Sequence, residues 1–179
     1  MPIPATLVAH IQLRQPNFTH LDLSNCGLND NDMTLLQEYI SSNPYITSLD
    51  LSRNNITTDG VKMIALLNSI KDLNLKDNYI DDETLPCLLN STCLSNLERL
   101  NVSDNNLTDD SVPLLIKEIQ DPACKLKYVD IDGNRKISEA NKILISKSIK
   151  TPDTLQHTTE EKTTQSRGIL SKFSNLLGR

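Results

Sequence analysis

One spacing of apolar residues, L-x-x-L-x-L-x-x-(N/C)-x-L, recurs five times along the chain. Its first copy is FTHLDLSNCGL, residues 18–28. The second apolar position of each copy is occupied by Leu21, Leu49, Leu73, Leu100 and Val129, which lie 28, 24, 27 and 29 residues apart. The fifth copy needs one extra residue before Ile137. Self-similarity at this period is typical of a solenoid of stacked repeats, and five repeats exceed the roughly three that a stable core requires.

Each repeat changes its hydrophobic period from two to that of a helix. Leu21 and Leu23 alternate with polar neighbours, so they point inward on a short strand. After the last apolar position of a repeat, apolar residues return five and eight places later and predict one buried helical face. These residues are Met33 and Leu36, Val61 and Ile64, Leu85 and Leu88, and Val112 and Leu115. Acidic and hydroxyl residues from Asp30, Thr58, Asp82 and Asp109 onward predict the helix N-caps.

Strand and helix alternating at this period resemble the ribonuclease-inhibitor-like class of leucine-rich repeats. The segment NNITTDGVKMIALL, in which Gly60 and Val61 open the helix, is typical of that class. The resemblance implies an α/β solenoid, a short horseshoe arc with parallel strands on the concave face and helices on the convex face. It also implies a structural role for Asn54, Asn78, Asn105 and Asn134, with Cys26 leading the row, in bonding the backbone of the turns.

The sequence divides into four parts. Residues 1–17 predict an N-terminal cap, residues 18–137 the repeats, and residues 138–150 a capping helix with Ile143, Leu144 and Ile149 inward. Residues 151–179 predict a flexible polar tail with an amphipathic end. Ile169, Leu170, Phe173, Leu176 and Leu177 share one helical face there. This end could dock on the body, contact a membrane surface or be recognised by another protein, and the pattern favours none of the three.

Charge is distributed unevenly around the net charge of -5. Residues 1–124 hold 17 acidic and 7 basic residues (net -10), residues 125–150 hold 3 and 7 (net +4), and residues 151–179 hold 3 and 4 (net +1). The N-terminus lacks the features of a secretory signal, and no stretch has the apolar length of a membrane span. The cysteines at 26, 87, 93 and 124 form no metal-binding pair, and we expect a reducing, cytoplasmic location.

No catalytic constellation emerges from the sequence. His20, Asp22 and Ser24 lie on one strand with side chains about 7 Å apart and pointing the same way, so they lack the convergence that a nucleophile needs. Asp132, Gly133 and Asn134 resemble only part of a calcium loop. We therefore expect a protein that is not an enzyme and that needs no cofactor or metal.

Function is expected instead at the outward strand positions and the residues beside them. The candidate partner-binding residues are His20, Asp22, Ser24, Asp50, Ser52, Arg53, Asp72, Asn74, Lys76, Arg99, Asn101, Tyr128, Asp130 and Asp132. Asp22 and Asp50 fall on neighbouring strands, where they would repel by about 1 kcal/mol in water-like surroundings. A protein partner with a basic surface would relieve that repulsion, whereas nucleic acid would be disfavoured. Equally, short polar residues could serve only to keep a solvated face soluble.

Two hypotheses about function follow. The first is a monomeric, non-enzymatic protein-interaction module that binds through its acidic concave face. The second is an adaptor or scaffold recruited to a membrane or to transport machinery by its C-terminal segment. The polar tail with Glu160 and Glu161, followed by Leu176 and Leu177, resembles the translocation signals of type IV secreted effectors of intracellular bacteria. That resemblance implies action inside a host cell.

Overall fold

The computed structural model describes residues 19–89 and 95–149, in which strand and helix alternate along the chain. The strands are β1 (His20–Asp22), β2 (Ser48–Asp50), β3 (Asp72–Asn74), β4 (Arg99–Asn101) and β5 (Tyr128–Asp130). The helices are α1 (Asp30–Ser41), α2 (Thr58–Ile64), α3 (Thr84–Leu89), α4 (Val112–Gln120) and α5 (Glu139–Ser148). A 3₁₀ turn, Asp109–Ser111, leads directly into α4. The predicted N-terminal cap and polar tail lie outside the described residues.

The five strands form one parallel sheet in the order β1-β2-β3-β4-β5. Leu21, Leu49, Leu73, Leu100 and Val129 stand opposite one another in register across the sheet. Each three-residue strand therefore presents its middle side chain to the helices and its first and third side chains to the other face. This arrangement confirms the predicted α/β solenoid of parallel strands and helices.

The core lies between the sheet and the helix layer. All eight residues predicted to face inward in α1 to α4 are at most 2% exposed, and so are most of the apolar residues of the first four repeats. The fifth repeat is buried as well, with Ile137 only 4% exposed after its one-residue insertion. None of the described helices has the length and apolar character that a membrane-spanning helix needs.

A ladder of buried asparagines closes the turn after each strand. The Oδ1 atom of Asn105 accepts from the backbone N–H groups of Asn78 (3.2 Å) and Ile80 (3.0 Å), and its Nδ2 atom donates to the carbonyls of Leu75 (3.0 Å) and Val102 (3.1 Å). Equivalent bonds are made by Asn54, Asn78 and Asn134. These bonds satisfy backbone groups that would otherwise be buried without partners, which confirms the structural role expected for the row.

A second series of bonds joins each repeat to the next beside the helix N-termini. In each pair, the residue two places after the last apolar position of one repeat bonds to the residue one place after the last apolar position of the next repeat. The pairs are Asp30 with Thr57, Thr58 with Asp81, Asp82 with Thr108, and Asp109 with Ser138. The Asp30 Oδ2 to Thr57 Oγ1 distance is 2.6 Å, and the Asp82 Oδ2 to Thr108 Oγ1 distance is also 2.6 Å. We call these the junction bonds.

The helix caps stand one residue before their predicted places. The N-caps of α1, α2 and the 3₁₀ turn are Asn29, Thr57 and Thr108, each one residue before the predicted caps. Asn29 forms a capping box, in which its side chain and that of Asp32 bond reciprocally to backbone N–H groups. The residues after Asn29, Thr57 and Thr108 are helical, and Asp30 is free to accept from the next repeat.

The inward face predicted for the last helix is wrong for two of its three residues. Ile143 and Leu144 of α5 are 53% and 47% exposed, whereas Ile145 is 2% exposed and Ile149 is half-buried. Ile145 stands eight residues after Ile137, the spacing that Leu115 has in the preceding repeat. The repeat's own helical phase therefore places Ile145 against the core and turns Ile143 and Leu144 outward.

Candidate partner-binding face

The predicted site residues lie on one side of the molecule, along the strands and the first residues that follow them. We call this the concave face. His20, Asp22, Arg53, Arg99, Tyr128 and Asp132 are exposed, and Ser24, Asp50, Asp72, Asn74, Lys76, Asn101 and Asp130 are half-buried. The structure thus brings thirteen of the fourteen candidates onto a common, solvent-accessible surface.

Ser52 departs from that expectation, because it is only 8% exposed. Its backbone N–H donates to Asp50 Oδ1 (2.8 Å), and its carbonyl accepts from the backbone N–H of Asn25 (2.8 Å) and from Asn54 Nδ2 (3.2 Å). Bonds on both sides draw this small residue into the turn. Ser103, at the equivalent place, is only 1% exposed, so the two serines help to build the turns and present little surface to a partner.

The third residue of every strand has a local structural task. Asp22, Asp50, Asn74, Asn101 and Asp130 each accept, through Oδ1, a bond from the backbone N–H two residues later, at distances of 2.8–3.1 Å. These are Asx turns, for which the short carboxylate or amide side chain is well suited. These five residues, which we call the Asx column, therefore end the strands, whether or not they also bind a partner.

The backbone turns sharply one residue after each Asx turn closes. Asn25, Arg53, Asp77, Asp104 and Gly133 all have φ between 54° and 76°, in the left-handed region. The side chain at this place is directed by the backbone and stands beside the concave face. The Asp104 carboxylate lies 2.9 Å from Lys76 Nζ, and this bond raises the pKa of Lys76. Asp104 occupies the same place as Arg53 and is one of the adjoining loop residues that an interface of standard size would have to include.

Polar groups on the first four strands are largely paired with one another. His20 Nδ1 lies 2.7 Å from Ser48 Oγ, and Asn74 Nδ2 donates to Asp50 Oδ2 at 2.8 Å. These bonds join β1 to β2 and β2 to β3. The expected repulsion between Asp22 and Asp50 is therefore offset for Asp50 by an amide donor on its other side.

A bidentate ion pair continues this pairing from β3 to β4. Arg99 donates from Nε to Asp72 Oδ1 (2.8 Å) and from Nη2 to Asp72 Oδ2 (3.2 Å). Exposed pairs of this kind contribute at most about 1 kcal/mol to stability. Their larger effect is to leave little uncompensated charge at the middle of the concave face.

The fifth-repeat end of the concave face differs. Tyr128 is 47% exposed and stands in register with Arg99, and Asp130 and Asp132 follow it. Burial raises the pKa of Asp130, and the nearby charges of Asp132 and Asp104 raise it further. Burial raises the pKa of the Tyr128 hydroxyl as well, and the charges of Asp130 and Asp132 raise it further. An aromatic ring and incompletely compensated negative charge coincide here.

Catalytic chemistry finds no support in the geometry of the described residues. His20 bonds to Ser48, and the backbone N–H of Ser24 donates to Asp22, so these bonds do not link the three side chains into a catalytic set. Within the same part of the chain, no group of three or more His, Cys, Asp and Glu side chains is placed to hold a metal ion. None of the described cysteines, Cys26, Cys87 and Cys124, forms a disulfide bond.

A family model described as "Leucine Rich repeat" matches residues 14–36, 42–65 and 93–112 of the chain. The first two segments contain β1 with α1 and β2 with α2, and the third contains β4 and the 3₁₀ turn. Together with the parallel sheet and the asparagine ladder, these matches identify the chain as a leucine-rich-repeat protein. This fold generally serves protein binding without catalysis.

Two solved structures with a similar fold cover most of the chain. One is described as the leiomodin-1 actin-binding site 2, with a TM-score of 0.64 and 12% identity over 83% of this chain and 88% of that one. The other is the tropomodulin C-terminal domain of Caenorhabditis elegans, with a TM-score of 0.61 and 16% identity over 83% of this chain and 92% of that one. No curated protein sequence matches the chain. At these identities the likeness extends to the fold alone.

Proposed function

We propose that this leucine-rich-repeat protein is a non-enzymatic interaction module that binds a protein partner with a basic surface, and that the partner's main contact is the fifth-repeat end of the concave face. The observation that carries the proposal is the coincidence of Tyr128, Asp130 and Asp132 at that end. Exposed tyrosine is enriched at interface hot spots, because a rigid ring buries much area at little entropic cost. The adjacent carboxylates suit a lysine or arginine of the partner.

The remainder of the concave face is assigned a supporting part. Its central side chains are already bonded to one another, so a partner would have to compete with the Asp72–Arg99 pair and the Asp50–Asn74 bond. The thirteen accessible candidates also fall below the roughly 20–30 residues per side of a standard interface. We therefore expect a modest affinity whose association rate falls as salt is added.

The place of action proposed is the cytoplasm of a host cell, which a bacterial effector would reach by a type IV route. This rests on the tail alone, with its Glu160 and Glu161 followed by Leu176 and Leu177. A monomer suffices for this function. The alternative is an adaptor whose repeats are a scaffold for the C-terminal segment, and the apolar face of residues 169–177 is the observation that favours it.

The test compares two variants of the full chain that change charge and aromatic content equally. Tyr128→Ala with Asp132→Lys alters the fifth-repeat end, whereas Tyr79→Ala with Glu83→Lys alters exposed residues beyond the concave face. Affinity capture from eukaryotic lysate should lose a partner at least tenfold in the first variant and keep it in the second. Purified actin is a direct arm of the test, since the leiomodin domain with this fold is described as an actin-binding site.

Equal capture by both variants would contradict the proposed site. Capture lost only on removal of residues 168–179 would instead favour the adaptor. Asp50→Lys is less suitable as a probe, because Asp50 accepts bonds from Ser52 N and Asn74 Nδ2 and the change would disturb the turn.

A further inference from the structure

An apolar patch lies on the helix side of the first two repeats, remote from the concave face. Leu35 of α1 and Met63 of α2 are each 43% exposed and stand at equivalent places, seven residues after Leu28 and Ile56. Leu66, three residues after Met63, is 60% exposed. Because α1 and α2 are packed neighbours in the helix layer, these side chains form one surface, which we call the convex patch.

Packing between repeats does not account for the convex patch. The inward residues of α1 and α2, such as Met33 and Val61, are already 0% exposed. At the place equivalent to Leu35 and Met63, α3 has Cys87 and α4 has Leu114, and both are half-buried. The helices thus hold together through other side chains, while Leu35, Met63 and Leu66 expose apolar surface that water solvates poorly.

The chain itself contains a segment of matching chemistry. Residues 168–179, GILSKFSNLLGR, place Ile169, Leu170, Phe173, Leu176 and Leu177 on one predicted helical face. A helix of twelve residues is about 18 Å long, and neighbouring helices pack about 8–10 Å apart. Such a helix covers two adjacent helices of the solenoid. Three turns are marginal as an isolated helix, so an apolar surface would favour its formation.

Charge distinguishes the convex patch from the exposed apolar site of α5, Ile143 and Leu144. Helix α1 carries Asp30, Asp32 and Glu38, and in α2 Asp59 and Lys62 cancel, so the two helices together have a net charge of -3. Helix α5 carries Glu139, Lys142 and Lys147, a net charge of +1. Residues 168–179 contain Lys172 and Arg179 and have no acidic residue, a net charge of +2. Complementarity favours α1 and α2.

The chain between α5 and the C-terminal segment is long enough to reach the convex patch. Residues 150–168 are 19 residues, which span at most about 65 Å when extended. Helices α5 and α2 are three repeats apart, or roughly 30 Å at the usual helix spacing. We propose that the C-terminal segment, residues 169–177, docks within the same molecule on the convex patch formed by Leu35, Met63 and Leu66.

Hydrogen exchange on the full chain tests this contact. In the wild type, the amides of residues 169–177 should exchange at least tenfold more slowly than in Leu66→Asp. The matched control is Leu144→Asp, an equal change at the exposed apolar site of α5, which should leave the slow exchange intact. Both replaced side chains are about half exposed or more, and circular dichroism verifies that each variant folds.

A second readout comes from the patch itself. Docking covers Met63, so Phe173→Ser should raise the rate at which peroxide oxidises Met63 several-fold, while the buried Met33 stays slow as an internal reference. Unprotected amides in the wild type, or protection that Leu66→Asp leaves unchanged, would overturn the proposal. So would protection that rises with protein concentration, which indicates a second copy, or protection that appears only with vesicles of phosphatidylserine and phosphatidylcholine.

Discussion

The third residue of each strand has two requirements that only a few side chains meet together. It must face solvent on the concave face and also accept a bond from the backbone two residues later, as Asp50 and Asn74 both do. Aspartate and asparagine are equivalent for that bond. They differ in charge, so the choice between them at each repeat affects stability and binding but leaves the turn unchanged.

At Asp130 the ionised carboxylate lowers the stability of the folded protein. Burial raises its pKa, with the charges of Asp132 and Asp104 adding to the effect, so the folded protein binds this proton more tightly than the unfolded chain does. The loss of stability from ionising Asp130 is absent below the ordinary aspartate pKa of about 4 and complete above the raised pKa of the folded state. Asp130→Asn should therefore raise the thermal midpoint at pH 7 by an amount worth less than about 1 kcal/mol, since solvent screens a half-exposed group.

Thermal melts of Asp130→Asn at pH 7 and pH 3 check that prediction, and the two proteins should melt alike at pH 3. The reverse change at the neighbouring repeat, Asn101→Asp, is the matched control and should lower the midpoint at pH 7. If Asp130→Asn were destabilising at pH 7, the conclusion that the ionised carboxylate of Asp130 destabilises the fold would be wrong.

The buried row of asparagines was predictable from the sequence, whereas the Asx column was not. Asn54 and Asn105 occupy equivalent places in their repeats, and the resemblance to leucine-rich repeats implies that this place bonds the backbone of the turn. Asp22 and Asn101 look like any solvated polar residue, since a bond to the backbone two residues on has no signature in hydrophobic periodicity. For the same reason the burial of Ser52 was not foreseen.

The short helices and strands depend strongly on the bonds made at their ends. The strands have only three residues each, and α2 and α3 have seven and six. Helices this short gain little from propensity alone and depend on caps and packing. At α2 the cap and the junction bond share one residue, because Thr57 both accepts from the N–H of Asp59 and donates to Asp30 of the preceding repeat.

Thr57→Val isolates this double function, because the two side chains have nearly the same shape. It should lower the free energy of unfolding by about 1–2 kcal/mol, because the cap is lost and Asp30 Oδ2 loses its hydroxyl donor. Asp30 Oδ1 keeps its bond from the backbone N–H of Thr57. Urea denaturation followed by circular dichroism measures the loss of stability. Thr47→Val is the matched control, since the Thr47 hydroxyl has only a long 3.5 Å bond to the carbonyl of Thr19, and equal losses in the two variants would disprove the role of the cap.

The N-caps of α1, α2 and the 3₁₀ turn were predictable to within one residue, but the face of the last helix was not. Hydrophobic spacing located Met33 and Leu115 because four regular repeats supported each other. In α5 three successive residues, Ile143, Leu144 and Ile145, are apolar. Spacing alone could not choose among them, and the choice is made by the position of Ile137 in the core.

At the scale of the whole molecule, every repeat contacts its neighbours and no repeat contacts a distant one in the described sheet order. Stability in such a solenoid is approximately a sum of repeat terms and nearest-neighbour terms. The central repeat shares two interfaces, through β2 and β4. Damage there should disconnect the two halves, whereas damage at an end should remove one repeat.

Leu73→Asp places a charge at the centre of the core, where the wild-type residue is 3% exposed. It should cost several kcal/mol and abolish the cooperative thermal transition seen by circular dichroism. Asp72→Ala, the adjacent residue on the opposite face of β3, should cost less than about 1 kcal/mol because it removes only the exposed pair with Arg99. A folded Leu73→Asp protein with an unchanged melt would contradict the assignment of β3.

The junction bonds also govern how such a chain can lengthen. Among the four repeats that are followed by another repeat, only repeat 4 combines an acceptor, Asp109, with a hydroxyl partner, Thr108, at the two places that meet in neighbouring repeats. A tandem duplication of this unit would present Asp109 of one copy to Thr108 of the next and re-create the existing junction without any further substitution. Repeat 2 has Thr57 and Thr58 instead and depends on Asp81 of its present neighbour. The repeats are therefore unequal as units of growth, and repeat 4 is the one suited to copying.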